Sequence, residues 1–490
     1  MNPKSDAPKF HKHFAAAIAL LTFLFSASSF ANNPIPTVVG PVVPQAVVPG
    51  SGSFVLSVFG ANFVQGAVVN WNRNPRSTTF VSARELQAQI LASDVATATA
   101  GYITVTNPPT GGGVSSSSYA IVEVHTPTSA IVAEQLHEYL KGDVPFFLVP
   151  SDFNNDGILD FAVSDGKEDI EVRLGNGDGT FRFGSFATHN YNSGDAIAYG
   201  DFNKDGNEDL VFGADPFGPP TQLQVSLGNG DGTFRKGSRF GHFTIYPFQI
   251  VVGDFNRDGN LDLAASERGS YVFLGNGDGR FKLRAHYNNI GNGGVIATAD
   301  FDGDGILDLL VGYYGLAVMK GNGDGTFQKP RRIVSLPKNF GCFAGPPILV
   351  SDFNGDGNAD IAYCENGYNG HKNGKIWIML GNGDGTFKKP FFVPVETSGG
   401  FSFAAGDFNS DGKTDLVASY AVSDTQSEFD LFLGNGDGTF QNKRLVQLAN
   451  GPHDGTIVPA DFNSDGLLDF IIQDAFQVAV FIQRRATGSD

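Results

Sequence analysis

Beyond residue 145 the chain alternates short apolar runs with polar, glycine-rich loops at a nearly constant interval. Gln249-Ile250-Val251-Val252 and Asp262-Leu263-Ala264-Ala265 flank one such loop, and Arg332-Ile333-Val334-Ser335 follows another kind of loop. Short runs of this type, bounded by Gly, Asn and Asp, read as strands joined by tight turns. Each unit parses into four strands: A before an acidic loop, B after it, C ending at a second polar turn, and D leaving that turn. Residues 34 to about 125 carry a different pattern, with alternation in Ser53–Gly60, Ala67–Asn72, Thr78–Val81, Leu86–Ile90 and Gly101–Asn107. Strands of that length over such a segment predict a small immunoglobulin-like sandwich, with Trp71 in its core.

The acidic loop is the most regular feature. Asp-Phe-(Asn/Asp)-x-Asp-Gly-x-x-Asp begins at Asp152, Asp201, Asp254, Asp300, Asp352, Asp407 and Asp461, at intervals of 49, 53, 46, 52, 55 and 54 residues. Four antiparallel strands in a unit of about fifty residues is the size of a propeller blade. The predicted fold is therefore all-β: a seven-bladed β-propeller over 145–490, preceded by the sandwich at 32–125. Between them, 126–144 is a linker or a ring-closing segment. Ser129 could cap a short helix through Leu140, or part of this stretch could form an extra strand. The seventh repeat ends after its strand C, so a closed ring needs one more strand, and residues 119–147 are the natural source.

The loop chemistry points to a cation. Positions 1, 3, 5, 7 and 9 are Asp152, Asn154, Asp156, Ile158 and Asp160 in the first copy, and Asp201, Asn203, Asp205, Asn207 and Asp209 in the second. The third has Asp254, Asn256, Asp258, Asn260 and Asp262, and the fourth Asp300, Asp302, Asp304, Ile306 and Asp308. The fifth has Asp352, Asn354, Asp356, Asn358 and Asp360; the sixth Asp407, Asn409, Asp411, Lys413 and Asp415; the seventh Asp461, Asn463, Asp465, Leu467 and Asp469. Side chains at 1, 3 and 5 converge if the backbone curls around a point, Gly at 6 permits the turn, and position 7 offers its carbonyl. An all-oxygen set selects Ca²⁺ over zinc or copper, and over the stricter Mg²⁺. An EF-hand would need Glu at position 12, where this chain has Val163, Phe212, Ala265, Val311, Tyr363, Ala418 and Ile472. Asp, Asn and Gly also make ordinary turns, but a turn alone would not repeat Asp at 1, 5 and 9 seven times.

The second turn, Leu-Gly-Asn-Gly-Asp-Gly-Thr-Phe, recurs with single departures at Arg280 and Lys320. Its Gly-x-Gly spacing lacks the following helix and Lys-Ser/Thr pair of a phosphate loop. It reads as the C–D hairpin, with its Asp capping the turn.

Composition narrows the function. The formal net charge is −18, and removing a leader with three Lys and one Asp takes it to about −20. Seven Ca²⁺ would offset most of that, so the acidity is internal, and no basic stripe suits a nucleic-acid backbone. Residues 1–31 read as a signal peptide: Lys4, Lys9 and Lys12, the apolar run Phe14–Phe25, then small residues at Ser29 and Ala31. No later run is long enough to span a bilayer. The expected product is exported, whether secreted, periplasmic or surface-held. Cys342 and Cys364 flank the fifth loop, as a disulfide or as two thiols.

The repeats resemble the FG-GAP/VCBS family and the calcium-bearing blades of integrin α-subunit propellers. Val58-Phe59-Gly60-Ala61-Asn62-Phe63, Val69-Asn70-Trp71-Asn72 and Val105-Thr106-Asn107-Pro108 resemble IPT/TIG domains. The first resemblance implies up to seven Ca²⁺ in the A–B loops and a role in adhesion or recognition. The second signature follows the bacterial rather than the eukaryotic pattern. A–B loops and C–D turns share one face; the opposite face carries variable B–C segments, Gly213–Thr221, Cys364–Lys375 and Ser419–Phe429, with Tyr368, His371 and Tyr420 as candidate contacts. The expectation is a non-enzymatic monomeric ring that binds an extracellular protein or glycan. A polysaccharide lyase or glycosidase on the same scaffold is the alternative, but the seven His of the mature chain are scattered and no catalytic constellation stands out.

Overall fold

The computed structural model describes residues 32–485 apart from 40–41, 116–119, 129–130, 141–146, 165–168, 189–191, 216–220, 245–248, 268, 289–294, 313–314, 336–347, 367–373, 398, 424–425, 451–454 and 474–476. The described chain is all-β, with one short 3₁₀ turn at Ala92–Val95 and no α-helix. The expected signal peptide, Cys342, Ser129, Tyr368 and His371 lie outside the described residues. Cys364 is buried and disulfide-bonded.

Two sheets form the N-terminal part. One runs Thr37–Val38, Phe54–Ala61, Glu85–Ile90, Ser77–Phe80; the other runs Ala46–Val47, Ala120–Val124, Thr99–Asn107, Val68–Trp71, Asn74–Pro75, with Gly113–Val114 beside Thr99–Asn107. Alternation sends Leu86, Ala88 and Ile90 inward from one sheet to meet Val69, Ile103, Val105 and Val122 from the other. Trp71 is 3% exposed in this core. Its ring lies where any side chain at Gly101 would be, with 2.3 Å between them.

The repeats form seven four-stranded antiparallel sheets, an arrangement consistent with a β-propeller. In repeat one the strands are Leu148–Ser151, Asp160–Ser164, Ile170–Gly175 and Phe181–Thr188. Strand B is buried at every position because sheets cover both its faces, which is why these strands read as continuous apolar runs. Strand D is exposed at Arg182 and Phe183, as an outer edge should be.

Neighbouring sheets are joined by an aromatic ladder. The Phe at position 2 of each loop is at most 2% exposed. In four loops it meets, edge to face, the Phe that ends the next repeat's second signature: Phe153–Phe234 at 5.8 Å between ring centres, Phe202–Phe281 at 5.4 Å, Phe255–Phe327 at 5.6 Å and Phe353–Phe440 at 6.1 Å; Phe301–Phe387 is tilted at 6.0 Å. Such pairs add about 0.5–1.5 kcal/mol to the burial itself. A glycine of the next repeat's turn donates to the same Phe's carbonyl, as in Gly232 N to Phe153 O at 3.1 Å and Gly325 N to Phe255 O at 3.0 Å. The series also joins the last repeat to the first, through Phe462–Phe181 at 5.8 Å and Gly179 N to Phe462 O at 3.2 Å.

The seventh sheet is built from both ends of the repeat region. Thr456–Ala460, Asp469–Gln473 and Val478–Arg485 pair in order, and Ile131–Tyr139 adds the fourth strand against Val478–Arg485. The helix considered for this stretch does not form. An unpaired edge on Val478–Arg485 offers Ile131–Tyr139 a full ladder, and Ala133 and Tyr139 are buried there. The phenol of Tyr139 accepts from Phe181 N at 2.8 Å, tying this strand to repeat one. Gln483 stands in for the missing second signature. Its N–H donates to Asp469 Oδ1 at 2.8 Å, where other repeats use a glycine, and its Nε2 donates to Phe408 O at 2.7 Å.

Two expectations for the variable face change. Ser419–Phe429 is not a long loop: strands Asp415–Ser423 and Gln426–Phe432 extend the hairpin through it. Tyr420 is 1% exposed and is therefore no surface contact. Its hydroxyl lies 2.8 Å from Glu428 Oε2 and 2.7 Å from Asp430 Oδ2, and Lys443 Nζ sits 3.2 Å from Asp430.

Candidate metal centres

The seven acidic loops share one backbone geometry. Gly157 at position 6 has φ of +88°, and position 4 is also left-handed even where it is not glycine, as at Asn155, Lys204, Arg257, Ser410 and Ser464. Two left-handed residues curl the chain so that positions 1, 3 and 5 face inward together. In loop one, Asp156 N donates to Asp152 Oδ1 at 3.1 Å and to Asn154 Oδ1 at 2.8 Å, and Gly157 N donates to Asp152 Oδ2 at 2.9 Å. The same three bonds recur for Asp201 and Asn203, Asp254 and Asn256, Asp352 and Asn354, Asp407 and Asn409, and Asp461 and Asn463. The position-5 carboxylate then accepts the position-7 N–H, at 2.8 Å for Ile158 and Ile306, 2.9 Å for Asn260, Asn358 and Leu467, 3.0 Å for Asn207 and 3.1 Å for Lys413.

Position 9 is held differently. Asp160 is fully buried, with Oδ2 accepting from Phe153 N at 2.9 Å and Oδ1 from Gly175 N at 2.8 Å. Asp209, Asp262, Asp308 and Asp360 are gripped the same way. Each pins the start of the loop to the end of strand C; Asp262 Oδ2 also accepts from Asn256 N at 3.2 Å.

These carboxylates crowd together without enough positive charge. Burial, then the loop's other aspartates, pushes Asp209, Asp308, Asp415 and Asp469 up to about 8. Asp160 and Asp360 are pushed to about 7, and Asp300 and Asp461 to about 6. Buried like charges demand a proton or a cation. The donor set of hard oxygens around a glycine turn suits a divalent ion of the calcium type. In loop four, Asp300, Asp302 and Asp304 bring one carboxylate oxygen each within 4.8 Å of the others. Asp302 is the lone Asp at position 3, and Lys320, the lone Lys in a second signature, meets it at 2.7 Å. These two departures from the repeat compensate each other, a pairing that period alone did not reveal.

The second signature is a capped turn. Asn176 N donates to Thr180 O at 2.9 Å, and the Asp178 carboxylate accepts from both Thr180 N and its hydroxyl. That hydroxyl bond holds the carboxyl below its ordinary value. The position-2 Phe and Gln483 went unassigned in the sequence. The matched period of the two Phe residues was the available signal for the first; nothing local marks the second.

A family model described as an FG-GAP-like repeat matches residues 152–212, 201–265, 263–311, 300–363, 352–418 and 420–472. The chain is 27% identical to integrin alpha-PS3 of Drosophila melanogaster over 164 residues, which are 30% of this chain and 15% of that protein. It therefore spans only a small part of that relative. Among solved structures it is similar to an Agrocybe aegerita lectin described as recognising non-reducing terminal N-acetylglucosamine, with 16% identity, a TM-score of 0.44, and 84% of this chain and 100% of that one covered. It is also similar to an auxiliary nutrient binding protein from Bacteroides ovatus, with 12% identity, a TM-score of 0.37, and 92% and 98% covered. Among the described residues no helix is long and apolar enough to cross a membrane. Every matched stretch ends at position 12 of an acidic loop, the stretches cover more than half of the sequence, and the chain belongs to the FG-GAP-like repeat family.

Proposed function

We propose that this chain is an exported recognition or scaffold module: a closed seven-bladed propeller stapled by Ca²⁺, carrying an IPT/TIG-like immunoglobulin sandwich. The observation that carries the calcium reading is the repetition of one curled loop whose buried carboxylates have too little counter-charge. The link from repeat seven to repeat one through Phe462 supports ring closure. Positions 1, 3 and 5 and the position-7 carbonyl would hold the ion, which supplies positive charge to the loop. The chain's own residues do the rest: position 9 fastens the loop to strand C, and the position-2 Phe fastens it to the next sheet. A site whose dissociation constant lies one- to tenfold below ambient calcium contributes about 0.4–1.4 kcal/mol. Seven such sites give roughly 3–10 kcal/mol, comparable to the stability of a whole domain.

On this reading the ring is not an enzyme, and its opposite face meets an extracellular protein or glycan. The test combines elemental analysis of bound calcium with a glycan array and a turnover assay on any glycan retained. About seven ions and binding without turnover is the expected result. No bound calcium sinks the staple, and cleavage of a retained glycan favours a carbohydrate-active enzyme.

A further inference from the structure

The N-terminal sandwich sits on the face that carries the acidic loops. In each loop the position-1 aspartate takes the glycine N–H on Oδ2 and the position-5 N–H on Oδ1. The sandwich reaches Oδ2 in three loops. Ile35 N donates to Asp254 Oδ2 at 2.8 Å, Arg84 Nε lies 3.1 Å from Asp300 Oδ2, and Arg73, at the tip of a hairpin, pairs with Asp152. It also reads the loop backbones. Asn62 N donates to Gly305 O at 3.0 Å, Arg84 Nη2 to Gly357 O at 3.2 Å, and Tyr102 Oη to Asp461 O at 3.1 Å. These contacts exist only while the loops keep their curled shape.

The covering is uneven. The position-1 aspartates of loops three to seven are at most 5% exposed, whereas Asp152 and Asp201 are half-buried. A methyl added at Gly259, Gly305, Gly357 or Gly466 would come within 2.7 Å of the sandwich, but one at Gly157 or Gly206 would meet nothing within 4 Å. Loops three to seven are therefore covered; loop two is open, and loop one is open but for the exposed side chain of Arg73.

A third observation gives the coupling its sign. Glu123 of the sandwich is 2% exposed and faces Asp407, Asp415 and Asp461. Its Oε2 is held by the Ser410 hydroxyl, while its Oε1 and Asp415 Oδ2 are buried with no hydrogen-bond partner. Seating the sandwich thus drives another carboxylate into an already acidic junction. A buried uncompensated charge is costly, and a cation in the loop beneath offsets it.

We propose that the sandwich is a cation-dependent cap, which seats on filled loops three to seven, seals their ions from exchange, and leaves loops one and two open. This rests on the calcium reading above. By reciprocity, whatever the ions contribute to seating the cap, the cap returns as tighter ion binding.

The test uses the mature full-length chain loaded with radioactive calcium and chased with unlabelled calcium. Two ions should leave quickly and five at least tenfold more slowly. In parallel, hydrogen exchange follows the Ile35 and Asn62 amides, which donate across the interface, with Val105 in the sandwich core as control. Stripping the metal should expose the first two and leave Val105 protected. In E123Q, which removes the added charge but keeps the side chain's shape, the first two should stay protected after stripping. Seven bound ions that exchange in a single phase, with Ile35 and Asn62 equally protected with and without metal, would overturn the cap and leave the calcium reading standing. Ile35, Asn62 and Val105 exposed together would also overturn it, since the sandwich would be unfolding rather than lifting. A chain that binds no calcium at all refutes the underlying reading instead.

Discussion

Metal-free protein should gain stability as the pH falls from 8 to 5, the reverse of ordinary acid denaturation. Asp209 shows why. Its folded-state value is pushed up to about 8, chiefly by burial, against an unfolded value of 3.8. A group raised on folding supports the fold fully below its unfolded value, and that support is lost as pH climbs through the folded one. Each pH unit between them costs about 1.4 kcal/mol, so the step from pH 5 to pH 8 costs roughly 4 kcal/mol at this residue. Asp308, Asp415 and Asp469 are raised as far. Four such groups approach or exceed the roughly 5–15 kcal/mol that a whole domain has to lose. On the proposed calcium reading the ion would supply the missing charge and lower the folded-state values, so protein in calcium should lose this dependence. The assay is thermal unfolding by circular dichroism at pH 5, 6.5 and 8, on protein stripped with a chelating resin and on protein in millimolar calcium. Stripped protein should melt lowest at pH 8, and the gain from calcium should be largest there. A stripped protein that melts equally well or better at pH 8 would refute the argument that these carboxylates are uncompensated.

Four substitutions probe other parts of the design. Phe255→Ala removes a ring that is 1% exposed and edge-on to Phe327, and should cost about 3–5 kcal/mol in urea unfolding. Gln483→Ala orphans Phe408 O and should cost about 1–3 kcal/mol, read as a shift in urea midpoint; no shift would mean that the last sheet does not need this substitute for the glycine turn. Gly157→Ala and Gly305→Ala both force alanine into a left-handed turn at about 1–2 kcal/mol. Only the second also strikes the sandwich, at Ala83, so it should lower the melting temperature further; equal losses would argue against close seating over loop four.

The seven loops and their strands were legible because each rests on local rules: a glycine that permits a left-handed turn, and apolar runs set by burial on both faces. The carboxylates of positions 1 and 5 accept N–H groups within the loop, while position 9 is clasped by the amides of Phe153 and Gly175. That clasp depends on where strand C ends, which no loop motif encodes. Ile131–Tyr139 could not be settled locally, because its strand state is imposed by a partner more than three hundred residues away. Tyr420 misled for a related reason. A polar residue in an apparently long loop reads as exposed, yet the hairpin extends through it and Glu428 and Asp430 take its hydroxyl. The seating of the sandwich was wholly hidden, since Ile35, Arg84 and Glu123 carry no mark in their own segments of what they will touch.

The fourth strand of the last sheet also sets a timetable. Ile131–Tyr139 is synthesised more than three hundred residues ahead of its partner Val478–Arg485. Until then the early strand has an unpaired edge, and such edges invite pairing with another chain. Through that interval the early strand offers an edge that any copy nearby could complete. Slowing the delivery of Val478–Arg485, or crowding the newly made chains, should yield interlinked oligomers rather than unfolded protein.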